Sequence, residues 1–263
     1  MRDKDYHIHS IYSDGSDSPK EIIEKALARD MKVIALTDHD CIGGLEEARL
    51  EANKKKLVFV PGIELSVRYD TTRQIHILGL NIDYTNSDFL HRYTAYRKCR
   101  ENAVDFVLDE LAIIGPRISK DMLLPYSHGL SLDRQSVAKY LLNNGFAPTM
   151  QQAWVNYLDK IPNQEGELLS PIEAFEMIHA ASGKAYIAHI HKPIGLYGYN
   201  EKDMLQRLDE LHRLGLDGIE SHYPSYSFED LRFIQRAIEK IGLLECGGSD
   251  YHGAHRISVL IGD

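Results

Sequence analysis

Residues 7–19 read HIHSIYSDGSDSP, and this stretch decides how the rest of the chain is interpreted. Residues 5–10 have the alternating pattern of a short strand, in which successive side chains point to opposite faces. His7 and His9 therefore share one face, where two imidazoles could converge on a single ion. One His-x-His pair is a weak signal by itself, because strand histidines often lie on a polar face without binding anything.

A helix is predicted to begin directly after this stretch. Ser18 stands at the N-cap, Pro19 at the first helical position and Glu21 at the third, which together make a capping box. The same arrangement recurs at Ser170 and Glu173, so a second helix is predicted to begin there. Short apolar runs alternate with helical patterns along the chain, which is typical of βαβ units and a mainly parallel sheet.

About seven apolar runs are predicted to be strands. After the run at 5–10 they are residues 33–38, 57–67, 74–82, 184–190, 216–222 and 243–250. A turn at 70–73 joins the third and fourth runs, which predicts a hairpin. The predicted fold class is α/β.

Residues 84–180 break this alternation, because their pattern is almost wholly helical. We interpret them as a helical insertion after the fourth strand, which would either act as a lid or form a small independent domain. Residues 1–83 and 181–263 would then make up the main α/β domain. The basic and aromatic stretch at 91–100 could bind RNA, although a solvated helix face is the simpler interpretation.

Composition excludes several functions. The chain has 263 residues, 39 acidic and 30 basic side chains and a net charge of -9, and such a chain does not bind nucleic acid through bulk charge. Its three cysteines form no CxxC motif, so neither a disulfide framework nor a thiolate zinc site is expected. No run of about 18 apolar residues occurs. We expect a soluble cytoplasmic protein without membrane contact or an obligate protein partner.

Metal-binding residue types stand at or near the ends of the predicted strands. They are His7, His9, Asp38, His39, Glu64, His76, His189, Glu220, His222, Asp250 and His252. In parallel α/β barrels the active site forms where the carboxyl ends of the strands gather. Imidazole and carboxylate ligands without thiolate suit zinc, manganese or iron. The sequence therefore predicts a site for several divalent cations at one edge of the sheet.

Six motifs together resemble those of the PHP (polymerase and histidinol phosphatase) family of metal-dependent phosphoesterases. They are HIHSIYSDGSDSP (7–19), LTDHD (36–40), VPGIELS (60–66), HILG (76–79), IAH (187–189) and GGSDYHG (247–253). The resemblance runs from the first strand to near the C-terminus and is weak only in residues 84–180. It implies a distorted (β/α)7 TIM-like barrel with metal ions at its mouth.

The resemblance also implies ligands for two or three divalent ions. The ligand sets would be His7, His9, Glu64 and Asp250 for the first ion, Glu64, His76 and His189 for the second, and Asp14, His39 and His252 for the third. Glu64 would therefore bridge two ions. Asp38 and Glu220 would orient ligand histidines from behind, as carboxylates often do at metal sites.

Within the family, the chain is most similar to a branch that hydrolyses nucleotide phosphates. The similarity rests on Asp14 in SDG, on the position of the insertion after HILG, and on GLDGIE before GGSDYHG. That branch includes nucleoside 3',5'-bisphosphate phosphatases and a 5'-to-3' exoribonuclease of short RNA. The resemblance implies a phosphoric ester hydrolase in which a hydroxide bridging two metals attacks the phosphate of a nucleoside 3',5'-bisphosphate or of short 5'-phosphorylated RNA.

Two stretches that depart from this branch concern the substrate. The usual Ala-His-Pro of the fifth strand is AHIH (188–191), and the usual Gly-Arg-Pro-His of the insertion is DRQS (133–136). Arg134 is kept and is the predicted phosphate clamp, because a guanidinium binds phosphate through two N–H groups. His191 and His222 are the candidates for the general acid, with a water on the third ion as the alternative.

Three other functions stay open on the sequence alone. Histidinol-phosphate phosphatases share most of these ligands, but that branch usually has histidine in the loop where Asp14 stands. A non-catalytic metal-binding module, like the PHP domains attached to some DNA polymerases, is disfavoured because no ligand position is missing. Sugar- or amide-hydrolysing barrels usually carry a strand lysine between two metals, and no such lysine is found.

Overall fold

A computed structural model describes residues 3–263 of the chain. Seven strands are formed in this part: β1 (Lys4–Asp5), β2 (Val33–Leu36), β3 (Val58–Arg68), β4 (Gln74–Leu80), β5 (Lys184–Ile187), β6 (Gly218–His222) and β7 (Leu244–Gly247). The α-helices of the same part are α1 (Pro19–Ala28), α2 (Leu45–Lys55), α3 (Ser87–Ile114), α4 (Lys120–Leu123), α5 (Arg134–Asn143), α6 (Met150–Asn156), α7 (Pro171–Ala180), α8 (Glu201–Leu214) and α9 (Phe228–Ile241).

The strands form one sheet whose spatial order follows the chain from β1 to β7. The pairings β1–β2, β2–β3, β5–β6 and β6–β7 are parallel, whereas β3–β4 and β4–β5 are antiparallel. The prediction of a mainly parallel, seven-stranded α/β sheet is therefore confirmed, and so is the hairpin at 70–73.

The first strand is shorter than its sequence pattern predicts. β1 has two residues, and beyond it Ile8 forms a single bridge with Tyr251. The Asp250 N–H donates to the carbonyl of His7 at 2.8 Å, and the His9 N–H donates to the carbonyl of Tyr251 at 2.9 Å. These bonds bring the first and last segments of the sheet together, in place of the predicted strand through residue 10. A closed barrel stays a prediction from the family resemblance.

The reversed direction of β4 decides which of its residues reach the site. His76 is the third residue of β4 and pairs with Ser66 near the end of β3. A strand that runs opposite to its neighbours begins at the edge of the sheet where those neighbours end. His76 can therefore meet side chains from the carboxyl ends of the other strands although it stands near the beginning of its own.

Both predicted capping boxes are present. Ser18 accepts a hydrogen bond from the Glu21 N–H and Glu21 accepts one from the Ser18 N–H, and Ser170 and Glu173 do the same for α7. An N-cap serine contributes about 1 kcal/mol to stability. Behind these caps, both helices bury apolar side chains in the main core.

The main core does not extend through residues 84–180, which we call the 84–180 segment. Phe89 and Tyr96 of α3 and Phe175 of α7 pack in the main core with the sheet. A second core lies wholly within the segment, between Val104 and Ile161. α3 thus enters both cores, and a role of the segment as a lid or independent domain stays a prediction. Within residues 3–263, no helix has the length and apolar character that crossing a bilayer requires.

Candidate metal centre

A buried carboxylate, that of Glu64 on β3, lies among five histidines. Its Oε2 lies 3.2 Å from Nε2 of His7, 3.2 Å from Nε2 of His9 and 3.1 Å from Nδ1 of His39, and its Oε1 lies 3.0 Å from Nδ1 of His76 and 3.0 Å from Nε2 of His189. We call these six residues the Glu64 cluster. Side chains that the sequence analysis selected on separate strands thus meet at one edge of the sheet.

A second group forms around Asp14 in the loop after β1. Asp14 Oδ1 lies 3.3 Å from Nε2 of His252, and its Oδ2 lies 3.7 Å from Nε2 of His39. Gly15 lets this loop turn tightly, because a Cβ at that position would lie 2.4 Å from the carbonyl oxygen of His9. His9 Nδ1 lies 3.7 Å from Asp14 Oδ1. His9 and His39 therefore face both groups of carboxylate oxygens.

The two oxygens of Asp250, which follows β7, have different surroundings. Oδ1 faces the Glu64 cluster, at 3.5 Å from Nε2 of His7 and 3.3 Å from Nε2 of His9. Oδ2 accepts hydrogen bonds from Lys192 Nζ at 2.9 Å, Tyr223 Oη at 2.7 Å and Arg256 Nη1 at 2.6 Å. Two cations and a phenol therefore fix the direction in which Asp250 presents its other oxygen to the histidines.

Several buried atoms of the Glu64 cluster have no hydrogen-bond partner. They are Nε2 of His7, Nε2 of His9, Oε2 of Glu64 and Nδ1 of His189. Three of these atoms lie close together, with Glu64 Oε2 3.2 Å from Nε2 of both His7 and His9, but none of them makes a hydrogen bond of good geometry. A buried polar atom without a hydrogen bond costs about 1–3 kcal/mol, so their concentration in one place favours a bound ligand. Imidazole nitrogen and carboxylate oxygen are donors for zinc, manganese and iron. The residues therefore fit divalent cations.

The distances divide these donors into overlapping sets. The sets whose ligand atoms lie within 4.8 Å of one another are His9, Asp14, His39 and His252; His7, Glu64 and His189; His7, His9 and Asp250; and His39, Glu64 and His76. All nine predicted metal ligands occur in them. Glu64 occurs in two sets, as the bridging prediction requires, although which residues hold which ion stays a prediction.

The histidines of the centre differ in their affinity for protons. Burial alone would lower the pKa of His9, but the carboxylates of Asp250 and Glu64 raise it to about 10. Burial lowers the pKa of His39 to about 4 and that of His189 to about 3. Burial would raise the pKa of Glu64, but the histidines, His39 first among them, hold it well below its usual range. Neutral His39 and His189 beside an ionised Glu64 are the forms that bind a cation.

Glu220 on β6 supports two histidines of the cluster from behind. Its Oε1 lies 2.9 Å from Nδ1 of His7, and its Oε2 accepts a hydrogen bond from the His189 N–H at 2.7 Å. Burial raises the pKa of Glu220, with His7 acting in the opposite direction. A carboxylate placed in this way fixes the tautomer and the direction of a metal-binding imidazole.

Asp38 holds a loop rather than a ligand histidine. Its carboxylate accepts hydrogen bonds from the Ser10 N–H at 2.7 Å, Ser10 Oγ at 2.7 Å and Ser13 Oγ at 2.6 Å. Ser13 Oγ in turn lies 3.5 Å from Nδ1 of His9. Asp38 therefore fixes the loop that carries Asp14 and reaches His9 only through Ser13.

Asp40, which was not among the predicted site residues, anchors α3 beside the centre. Its buried carboxylate accepts hydrogen bonds from the Ser66 N–H at 2.8 Å, Ser66 Oγ at 2.7 Å and Tyr96 Oη at 2.6 Å, and Arg100 Nη2 lies 3.2 Å away. Burial would raise the pKa of Asp40, but Arg100 lowers it. The signal that could have found Asp40 is its position directly after a predicted metal ligand in LTDHD.

Arg134 has no donor left for a phosphate, so the structure does not support the predicted clamp. Its guanidinium pairs with Glu167 through Nε and Nη2 and donates to the carbonyls of Leu158, Ile161 and Pro162. These contacts use all five N–H groups that an arginine has. The physical reason is that α5 buries Arg134 within the 84–180 segment, where it holds residues 158–167.

The two candidates for the general acid lie outside the Glu64 cluster. His191 Nε2 lies 2.9 Å from Ser225 Oγ, and its ring packs against two tyrosines. On β6, a bulge between Glu220 and His222 interrupts the alternation that would place both on one face. Within residues 3–263, neither histidine borders the cavity at the centre. Their role as acids gains no support from these positions.

The centre opens into a cavity of about 560 Å³. Asp14, His39 and His76 line it together with residues of the 84–180 segment. Arg100 also borders this cavity, and its buried Nε has no hydrogen-bond partner. A ligand in the cavity can therefore contact predicted metal ligands and the 84–180 segment.

Comparison with known proteins identifies the same family as the motifs. A family model of the PHP domain matches residues 5–170. The 5'-3' exoribonuclease of Haemophilus influenzae is 31% identical over 94% of this chain and 89% of its own length. The 3',5'-nucleoside bisphosphate phosphatase of Chromobacterium violaceum is 30% identical over 96% of this chain and 88% of its own. A solved structure from Chromobacterium violaceum, described as an amidohydrolase with bound sulfate and no metal, has a TM-score of 0.83 at 28% identity, with 99% of this chain and 90% of that chain covered.

The fold, the cluster and these relatives define a metal-dependent phosphoesterase, a hydrolase of phosphate esters. The chain belongs to the PHP domain family, as the six motifs indicated. The prediction of an enzyme is confirmed, and the alternative of a non-catalytic module is not supported.

Proposed function

We propose that the protein hydrolyses a phosphoester of a nucleotide, either a nucleoside 3',5'-bisphosphate or short 5'-phosphorylated RNA. The observation that carries this proposal is the Glu64 cluster, which contains buried atoms without a hydrogen-bond partner and two of whose histidines, His39 and His76, line a cavity that apolar side chains also line. The cluster suits the phosphate of a nucleotide, and the apolar part of the lining suits its less polar remainder. Relatives named for both activities share about 30% of the sequence over most of the chain.

The proposed ligands are those that the family resemblance implies. They are His7, His9, Glu64 and Asp250 for one ion, Glu64, His76 and His189 for a second, and Asp14, His39 and His252 for a third. Two or three divalent ions bound there, as manganese, zinc or iron, would lower the pKa of water and neutralise phosphate oxygens, which is the chemistry of in-line phosphoester hydrolysis. The two oxygens of Glu64 face different histidines, which supports its assignment to two ions.

The remaining residues of the centre position the substrate and the ligands. Lys192 and Arg256 hold one oxygen of Asp250, and Glu220 holds the ring of His7. Arg100 takes the role first predicted for Arg134, because it borders the cavity with an unpaired Nε–H. A guanidinium N–H that donates to a phosphate oxygen forms a strong, charge-assisted hydrogen bond.

Release of products tests this proposal. The purified protein is stripped with a chelator, reloaded with Mn²⁺, and assayed with nucleoside 3',5'-bisphosphates, a 5'-phosphorylated oligoribonucleotide and histidinol phosphate. We expect activity to disappear on chelation and to return with Mn²⁺, with kcat/KM higher for a nucleotide than for histidinol phosphate. Release of inorganic phosphate identifies a bisphosphate substrate, and release of mononucleotides identifies RNA. A higher kcat/KM for histidinol phosphate would refute the nucleotide assignment.

A further inference from the structure

The cavity has an apolar part of its lining in addition to the residues of the metal centre. Trp154, on α6, lines the cavity together with Val155 and Leu158. Trp154 is half-buried, packs on the second core and borders the cavity. Asp159 of the same stretch also lines the cavity, and its negative charge disfavours a phosphate beside it. An uncharged, flat group is the ligand that this wall fits.

We propose that Trp154 stacks on the nucleobase of the bound nucleotide and so sets the preference of the enzyme for nucleoside phosphates over phosphate esters without a base. This inference rests on the proposed function, because it assumes that the phosphate lies at the Glu64 cluster. A flat indole stacks on every nucleobase, because each base has a π-face. The proposal therefore predicts a requirement for a base without strong selection among bases.

Side-chain amides in the lining of the cavity support the same proposal. Oε1 of Gln135 is buried and has no hydrogen-bond partner, and Gln135, which is 7% exposed, borders the cavity. An acceptor left unpaired at a cavity wall requires a donor from a ligand, such as a ribose hydroxyl or a base amino group. Gln151 and Asn163 also line the cavity. Each offers both a donor and an acceptor, so these amides can bind the edges of different bases.

Intrinsic fluorescence tests the stacking directly, because Trp154 is the single tryptophan among the 263 residues. The Mn²⁺-loaded protein is titrated with adenosine 5'-monophosphate and, separately, with ribose 5-phosphate. We expect the nucleotide to quench the tryptophan emission saturably and ribose 5-phosphate to leave it unchanged. Equal quenching by both ligands, or none by a nucleotide whose binding is shown by calorimetry, would overturn the proposal. Failure of the nucleotide to bind at all would overturn it as well.

Substitution of Trp154 provides a second measurement. Trp154→Leu is expected to lower kcat/KM for a nucleoside 3',5'-bisphosphate by about 10- to 100-fold, which is the range that base stacking on an aromatic ring supplies. It should leave kcat/KM for a ribose bisphosphate without a base within about twofold of the original. Trp154→Phe keeps an aromatic face and should restore most of the loss, which separates stacking from misfolding.

Phe146→Leu is the matched control, because Phe146 is an exposed aromatic residue of the same segment that does not border the cavity. We expect Phe146→Leu to leave kcat/KM unchanged for both substrates. If Trp154→Leu lowers kcat/KM equally for the substrate with a base and the substrate without one, the base does not stack on this ring. If no phosphoester is hydrolysed, the proposed function fails, and the fluorescence titration still decides whether Trp154 contacts a base.

Discussion

Two groups of charged side chains are buried in this molecule, and they differ in whether their atoms are paired. In the 84–180 segment, Arg134 and Glu167 form an ion pair in which each guanidinium N–H has an acceptor. In the Glu64 cluster, Glu64, His7 and His9 are equally buried, but each has an atom without a hydrogen-bond partner.

The comparison shows that buried charge alone does not mark a functional site. A paired group inside a fold stabilises one arrangement of the chain, whereas a group with unpaired atoms is stable only when a ligand completes it. Arg134 was the more attractive substrate residue on sequence grounds, and it borders the cavity, but its complete pairing leaves no N–H group for a phosphate. A substitution in one of the two groups should therefore leave the properties of the other group unchanged.

The largest effect is expected from Glu64→Gln. A neutral amide offers weaker donation to a cation, and Glu64 would serve two ions. Losses of about 10- to 100-fold follow when even a supporting carboxylate is removed from a metal site, so we expect kcat/KM to fall by up to about 10,000-fold and the bound metal, measured by mass spectrometry, to decrease. Glu167→Gln is the matched control, because it makes the same change in the paired group and should retain full metal content. Retention of both metal and turnover in Glu64→Gln would exclude a bridging role.

Arg134→Met is expected to affect stability and not metal content. Removal of one partner from a buried ion pair leaves the other charge uncompensated and costs about 3–5 kcal/mol. Urea unfolding would measure this loss, and the double variant Arg134→Met, Glu167→Met should recover part of it because no buried charge then remains. An unchanged free energy of unfolding together with a raised KM would return Arg134 to the substrate site.

Asp133 belongs to a second buried ion pair of the 84–180 segment, in which it accepts a hydrogen bond from Arg97 Nη1 at 2.8 Å, and this pair makes a pH-dependent contribution to stability. Burial would raise its pKa, but Arg97 and Arg100 lower it to about 2, whereas the unfolded value is about 3.9. A lowered folded pKa means that the stabilisation is complete above about pH 4 and is lost as the pH falls towards 2. A shift of this size corresponds to about 2.5 kcal/mol.

Asp133→Asn tests this contribution, because asparagine still caps α5 through the Ser136 N–H but carries no charge. We expect the variant to be less stable than the original protein at pH 7, and the difference between the two to shrink between about pH 4 and pH 2. Urea unfolding at several pH values measures this difference in the free energy of unfolding. A difference that stays constant with pH would mean that the Asp133–Arg97 pair does not stabilise the fold.

The smallest effect is expected from Arg256→Gln, which removes one of the cations that hold Oδ2 of Asp250. Lys192 and Tyr223 remain on the same oxygen. We therefore expect a loss of metal affinity near the lower end of the 10- to 100-fold range, about 10-fold, with partial rescue in Arg256→Lys. Competition with a metal-sensitive dye measures the metal affinity. Arg236→Gln, in an exposed pair with Glu201, is the control and should leave the metal affinity unchanged.

Much of the fold and of the centre could be predicted because strand ends and faces can be read from sequence. The spacing of His7 and His9 placed both on one face, and both lie 3.2 Å from Glu64 although the regular strand ends before them. His76 was selected by its position in an apolar run. The antiparallel direction of β4, which explains its presence at the centre, could not be read from that run alone.

The contacts of long side chains could not be predicted in the same way. Arg134 pairs with Glu167, 33 residues further along the chain, and Lys192 pairs with Asp250, 58 residues further along. A flexible side chain with several rotamers can reach many positions, so its partner depends on packing that no local pattern contains. A bulge on β6 has a similar effect on His222, because one irregular residue reverses the face on which the next side chains stand.

The length of α3 has a consequence for the position of Arg100. β4 runs away from the metal centre, so the chain that follows must return towards it. With 28 residues, α3 is about 42 Å long at 1.5 Å per residue, and it enters the main core at Phe89 and Tyr96 and the second core at Val104. A homologue with one turn fewer before Arg100 would displace that guanidinium by about 5.4 Å along the helix and remove it from the cavity that it borders here.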